Sequence, residues 1–263
     1  MAINNNVLVF DIETVPDVAT GRKLYGLHDC NDHEVAQAML QLRRQQTDGA
    51  EFVRHHLHRI VAISVVLRTP QQCKVWSLGE LDSSEAKLLE RFFHGIEKQK
   101  PILVSWNGSG FDLPVIHYRS LLHGVVSPIY WENGEKDPNF KWNNYLSRYH
   151  ARHTDLMDVL AAYQPRATAS LEEIALLLGL PGKMGMSGHK VWDAYQQGDL
   201  EGIRNYCETD VINTYLVYLR FLLISARLTE EDYQIETECV KTMLKKSDKL
   251  HLSEFLAAWQ LSA

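Results

Sequence analysis

The chain has 263 residues, 45% of them hydrophobic and 23% charged, and a formal net charge of −6. That length and apolar content suffice to bury one large core, or a core with a smaller appendage, and they exclude a disordered chain. The negative total excludes a broad basic field of the kind that coats nucleic acid non-specifically, but not an enzyme that must release its polymer.

In chain order, residues 6–10 form a short run rich in Val and aromatics and read as a strand. Residues 20–58 are polar, with helical stretches such as DHEVAQAMLQLRRQQ. RIVAISVVL (59–67) and CKVWSL (73–78) read as the second and third strands, joined by a hairpin-like turn, RTPQQ. A helix over 83–98 follows, capped by Ser83 or Ser84, with Leu88, Leu89, Phe92, Phe93 and Ile96 as its apolar stripe. PILVSW (101–106) is a fourth strand, and after the turn NGSGFD the pattern predicts a helix over 113–122. Residues 123–150 form a long insertion in which aromatics from Tyr130 to Tyr149 interleave with polar residues, among them Lys141 and Arg148. Such a segment either packs as an ordinary loop or hairpin or stacks single-stranded bases. HTDLMDVL (153–160) reads as a fifth strand, and 170–180 as a helix with Ser170 as its cap and Glu173 closing a capping box.

PGKMGMSGHK (181–190) is a Gly-rich basic loop, either a flexible linker or a place where Lys183, His189 and Lys190 hold phosphates. A long helix over 199–225 and further helical residues at 229–262 complete the pattern. Strands that meander first and then alternate with helices predict an α/β fold, a mixed sheet with helices on both faces. The expected organisation is a domain of residues 1–225 and a helical C-terminal extension of residues 226–263.

Within this pattern several acids sit in odd places. Asp11 and Glu13 fall in the apolar first strand, where i and i+2 share a face, with Phe10 and Ile12 on the other. Two like charges so placed repel, and a divalent cation with a taste for hard oxygen ligands, Mg²⁺ or Mn²⁺, would relieve them. The alternative is a pair of solvated acids where a strand ends at Pro16. Asp112 follows the fourth strand and a tight turn, the place where open α/β sheets carry ligands, although an Asp there also suits a helix cap. Asp210 lies within the long helix, one turn beyond Tyr206 and on the same face. Glu208, beside them, reads as a solvated residue. The cluster His55, His56 and His58 has no matching carboxylate or Cys spacing and reads as a loop feature.

Other chemistries find no support. Cys30, Cys73, Cys207 and Cys239 show no CxxC spacing, so neither a disulfide framework nor a structural zinc is expected, and a cytoplasmic setting is. The start MAINNNVLVF lacks the features of a signal peptide, and no apolar run reaches the roughly 18 residues of a membrane span. GMSGH (185–189) is not a nucleophile elbow, and NGSG (107–110) is not a P-loop, so no nucleotide triphosphate is expected.

Taken together, Asp11-x-Glu13, Asn107-x-x-x-Phe111-Asp112 and Tyr206-x-x-x-Asp210 closely resemble the DEDD superfamily of 3′-5′ exonucleases, over residues 7 to about 220. The Tyr four residues before the last Asp marks the DEDDy branch, as in the proofreading domains of family B DNA polymerases. The sequence most resembles the stand-alone bacterial exonucleases related to those domains. The resemblance implies an RNase H-like mixed five-stranded sheet flanked by helices. It implies two divalent metal ions, Mg²⁺ or Mn²⁺, held by Asp11, Glu13, Asp112 and Asp210, with Tyr206 aiming the attacking water. The implied reaction is hydrolysis at the 3′ end of single-stranded nucleic acid, DNA rather than RNA, releasing nucleoside 5′-monophosphates. Ile12, Thr14, Asn107 and Phe111 are the implied contacts to the terminal nucleotide, and Lys183 and Lys190 the candidate phosphate contacts upstream. The competing readings are an exonuclease of RNA or short oligonucleotides, and a catalytically silent nucleic-acid-binding module. The presence of all four acids and the Tyr counts against the latter.

Overall fold

The computed structural model describes residues 5–47 and 49–262. Its strands are β1 (Val7–Pro16), β2 (His58–Thr69), β3 (Gln72–Ser77), β4 (Ile102–Ser105) and β5 (His153–Asp155), in one mixed sheet of order β3-β2-β1-β4-β5. β1, β2 and β3 form an antiparallel meander, and β4 and β5 add in parallel beyond β1. The helices are α1 (Val18–Leu24), α2 (Asp32–Gln46), α3 (Glu85–Gln99), α4 (Asp112–His123), α5 (Leu156–Leu160), α6 (Leu171–Leu177), α7 (Val191–Gln196), α8 (Leu200–Ile224), α9 (Glu230–Lys245) and α10 (Leu250–Ser262). The five-stranded sheet flanked by helices matches an RNase H-like architecture.

The central strand is buried on both faces. Leu8, Phe10 and Ile12 pack with Leu89, Phe92 and Phe93 of α3 and Val115 and Ile116 of α4. Val7 and Val9 face the other way, onto Val211, Ile212 and Tyr215 of α8. α8 is apolar around most of its circumference and buried almost continuously from Tyr206 to Leu219, the mark of a helix sandwiched on two sides. Its outer side is covered by Val240 and Leu244 of α9 and by Leu252, Phe255 and Trp259 of α10. The final helices therefore share one core with the sheet. Arg68 of β2 and Glu236 of α9 add a buried bidentate ion pair, both bonds 2.7 Å. On the opposite face Arg119 of α4 binds Glu85 of α3 and Asp17, the cap of α1, which ties the chain leaving β1 to both helices.

Several elements differ from expectation. The segment 153–160 is a strand for only three residues. Asp155 then caps α5, accepting from the Asp158 N–H, and the chain turns helical. α1 and α7 were not foreseen, being too short to present a full amphipathic period. Ser84, rather than Ser83, caps α3. The aromatic insertion divides. Tyr130, Phe140 and Tyr145 are buried against the α3/α4 core, whereas Trp142 and Tyr149 are exposed. Among the described residues no helix is long and apolar enough to cross a membrane.

Because α10 completes the core over α8, Phe255→Ala should cost about 3–5 kcal/mol. Urea unfolding followed by circular dichroism should show one cooperative transition at a lower midpoint. An early transition confined to the final helices would separate them from the sheet.

Candidate active site

β1 outruns its partner on one side. Val7–Val9 pair with β4, but β4 ends at Ser105 and the chain turns away. On the other side the pairing with β2 slips between Glu13 and Thr14, leaving Val61 as an extra residue in β2. A bulge of this kind bends a strand and re-aims its side chains. Asp11 and Glu13 lie in this stretch, on the α8 face of the sheet.

The turn after β4 delivers the third acid. Asn107 is left-handed (φ 63°), a conformation Asn tolerates better than most residues. Its N–H and that of Ser109 donate to the two Asp155 oxygens, at 2.9 and 2.8 Å. A side chain at Gly108 would meet Ser105 Oγ at 2.3 Å, so the turn needs glycine there. Asp112 emerges at the start of α4 without capping it. Its Oδ1 instead accepts from the Ile12 N–H at 3.1 Å, satisfying backbone that β4 no longer reaches. Tyr206 and Asp210, a turn apart on α8, close the cluster and are hydrogen-bonded to each other.

The electrostatics record the convergence. Burial, then the charges of Asp112 and Asp210, push the Asp11 carboxyl well above its ordinary range. Burial, with Asp11 and Asp210 next, does the same to Glu13. Burial, with the Asp155 charge adding to it, lifts Asp112 to about 7. Burial lifts Asp210 to about 6 against the opposing Tyr206 hydrogen bond and the Lys183 charge. Burial and the nearby carboxylates push the Tyr206 phenol far up. Asp112 and Asp210 both act on Asp11 and Glu13, so the four acids lie near one another.

The remaining sequence-derived residues fall in different places. The Ile12 side chain is buried in the α3/α4 core, so only its backbone reaches the site. Thr14 Oγ1 lies 2.8 Å from His58 Nδ1, and His58 Nε2 lies 3.1 Å from the Val53 carbonyl. A carbonyl only accepts, so Nε2 carries the proton and the Thr14 hydroxyl donates to Nδ1. Burial lowers the His58 pKa to about 4, keeping the ring neutral. Phe111 packs against Phe52 and His58, with ring centroids 5.0 and 5.1 Å apart, and His55 binds the Gly110 carbonyl. His55 and His58 thus buttress Thr14 and Phe111 beside the acids, whereas His56 packs against the Tyr118 ring. Lys183 lies close enough to Glu13 and Asp210 to favour their ionised forms. Lys190 is exposed and lines a cavity of about 590 Å³ with Met184, Met186, Tyr206 and His251.

Sequence reasoning missed Cys207. Its sulfur and one oxygen each of Asp11 and Glu13 lie within 4.8 Å of one another. It also missed Asp155, though an acid at the end of a short strand was a visible signal, and it misplaced Glu208, which is buried.

A mixed five-stranded sheet flanked by helices, with an acid cluster beside the free end of its central strand, matches the RNase H-like architecture. The chain belongs to the family described as predicted 3′-5′ exonucleases related to the exonuclease domain of PolB, whose family model matches residues 50–259. It is 27% identical over 207 residues to a DNA polymerase of Pyrococcus glycovorans, covering 75% of this chain and 26% of that protein. It is 25% identical over 147 residues to the catalytic polypeptide of DNA polymerase epsilon from Dictyostelium discoideum, covering 54% of this chain and 6% of that protein. DNA polymerase 1 of Pyrococcus abyssi is 24% identical over 152 residues, covering 57% of this chain and 20% of that protein. The chain therefore spans about a quarter or less of these relatives.

Raised carboxyl pKa values make the cation-free site destabilising. An acid with a folded pKa near 7 and an ordinary unfolded value costs stability above pH 7. That cost fades as pH falls through 7 and vanishes below about 4. Asp112→Asn should therefore raise the melting temperature of the metal-free protein at pH 8 by about 3 °C or more, and the gain should close at pH 4. Calorimetry in chelator checks both arms.

Proposed function

We propose that this 3′-5′ exonuclease hydrolyses the terminal phosphodiester of single-stranded nucleic acid, DNA rather than RNA, and that it acts as a DEDDy-type enzyme with two divalent ions. The observation that carries the reading is four buried carboxylates near one another, their ionisation opposed by burial and, at Asp11 and Glu13, by the charges of the other acids. Such a donor set is hard, oxygen-only in its charged members and short of positive charge, which fits Mg²⁺ or Mn²⁺. The DNA preference is supported by relatives that are DNA polymerases.

Asp11, Glu13, Asp112 and Asp210 would hold the ions, which supply Lewis-acid stabilisation of the attacking and leaving oxygens. Tyr206 keeps its proton, because burial and its acidic neighbours oppose a phenolate. It therefore orients a water as a hydrogen-bonding phenol rather than acting as a base. Asp210 anchors that phenol one helical turn away. Thr14 and Phe111, set by His58, form the wall against the terminal nucleotide, with the Ile12 backbone and Asn107 at its base. Lys183 and Lys190 reach phosphates from the 181–190 loop. The product is a nucleoside 5′-monophosphate.

End-labelled single-stranded and duplex DNA and RNA, incubated with Mn²⁺, test polarity and substrate class together. Stepwise loss from the 3′ end of single-stranded DNA is expected, and chelator should stop it. Asp11→Ala and Asp210→Asn should abolish hydrolysis while circular dichroism stays unchanged. Tyr206→Phe should lower kcat by about 10²-fold, and an unchanged rate would remove the phenol from the reaction.

A further inference from the structure

Past α5 the chain turns through Ala162 and Tyr163, both left-handed (φ 49° and 59°). A helix commonly ends on one such residue, most often glycine. Two in a row, neither of them glycine, are strained. The turn sets the Tyr163 ring against Arg148. Its hydroxyl donates to the Arg148 carbonyl at 3.3 Å, and the guanidinium carbon lies 4.7 Å from the ring centre. Tyr149, 77% exposed, has its ring centre 5.6 Å from that of Tyr163 and 6.0 Å from the guanidinium carbon. Arg148 is steadied by Asp158 at 2.9 Å through one terminal nitrogen, while its side chain stays 47% exposed. Two rings and a guanidinium thus gather at the surface rather than in the core.

This cluster borders a cavity of about 660 Å³, the size of a ligand site. Arg148, Tyr163 and Pro165 line it, together with Ser109 and Gly110 of the turn after β4 and Pro114 of α4. Gly110 immediately precedes Phe111 and Asp112. The cavity therefore reaches the turn that delivers the third acid. Its surroundings are locally basic. Residues 141–170 hold Lys141, Arg148, Arg152 and Arg166 against Asp155 and Asp158, in a chain whose formal total is −6. Both of those acids are engaged, Asp155 by the Asn107 and Ser109 N–H groups and Asp158 by Arg148. A local positive excess beside exposed rings suits a phosphodiester strand whose bases are unpaired.

We propose that the cavity bounded by Tyr163 and Arg148, with Tyr149 beside it, is a stacking subsite for a base of the single strand that lies behind the terminal nucleotide. The inference rests on the reading of the acids as the site where that strand is hydrolysed. Phe111 faces the terminal nucleotide in that reading, and the adjoining Gly110 opens onto the cavity. Stacking on a side chain needs a bare base face. Bases in a duplex cover one another, so the subsite accepts an unpaired strand and rejects a paired one.

Anisotropy of a fluorescein-labelled oligothymidylate, titrated with the full chain in chelator, tests the subsite without relying on hydrolysis. Tyr149→Ala and Tyr163→Gly should each raise the Kd about 5- to 100-fold. Tyr149→Phe, which keeps the ring, should bind as the wild type does. Oligouridylate should show the same losses, since a ring stacks on the base and not on the sugar. Tyr163→Gly relieves the left-handed turn, so its melting temperature should hold, and affinity lost without stability is a result that a structural role does not give. A 2-aminopurine set in turn at each position behind the 3′ end should reveal one position whose fluorescence changes on binding the wild type but not Tyr163→Gly. Tyr149→Ala, at an exposed position, decides the matter if Tyr163→Gly does not fold. Wild-type affinity in the folded variants, with hydrolysis lost in Asp11→Ala, overturns the subsite and leaves the exonuclease reading intact. Hydrolysis retained in Asp11→Ala overturns that reading and, with it, the subsite's place behind a terminal nucleotide.

Discussion

Like charges in a space that water barely reaches are the constraint on which this molecule turns. Asp11, Glu13, Asp112 and Asp210 are brought together by a strand, a tight turn and a helix that lie far apart in the chain. The charges of Asp112 and Asp210 raise the energy of ionised Asp11, and those of Asp11, Asp112 and Asp210 raise that of ionised Glu13. A fold selected for stability alone would place apolar residues at these positions, as it does at Val7 and Val9 on the same face of the same strand. Sites that break the local rules in this way are where function is expected. Around the acids the protein supplies partial relief: the Ile12 N–H for Asp112, the Cys207 thiol for Asp11 and the Lys183 ammonium near Glu13 and Asp210.

Holding such a cluster requires a rigid frame, and α8 provides it. The helix packs on the sheet with one side and under α9 and α10 with the other, so it has little solvated face. That double burial explains how a helix can carry Tyr206, Cys207, Glu208 and Asp210 within five positions and keep all of them out of water. Tyr206 and Asp210 face the site. Cys207 reaches Asp11. Glu208 turns the other way and fastens the C-terminal helix to the edge of the sheet. The Arg68–Glu236 pair fastens α9 nearby. The final helices are thus bound to the motif-bearing core by ion pairs as well as by apolar surface.

Much of this was legible before any coordinates. Period-two spacing put Asp11 and Glu13 on one face, and the opposite placement of Phe10 and Ile12 is seen in the two core layers. Period-3.6 spacing put Tyr206 above Asp210. The capping box at Ser170 and Glu173 formed as its residues dictate. What misled was context. An Asp after a turn serves equally as a cap or as a ligand, and only the missing β4 partner of Ile12 explains why Asp112 reaches across to β1. A Glu in a helix reads as solvated unless a later segment covers it. The clustered histidines carry no spacing rule, because Thr14 for His58 and Gly110 for His55 are partners set by the return of the chain rather than by sequence distance.

The sequence by itself determined the local periodicities, the turn and cap chemistry, and the identity of the acids whose order resembles an exonuclease. These depend on neighbours within a few residues, where backbone geometry is fixed. The tertiary structure alone decided that the acids converge, that the Cys207 thiol meets Asp11, and that Glu208 is buried beneath the C-terminal helix. Each of those facts depends on which surfaces cover which, and burial, which sets the energy of a charge, is a property of the packed whole.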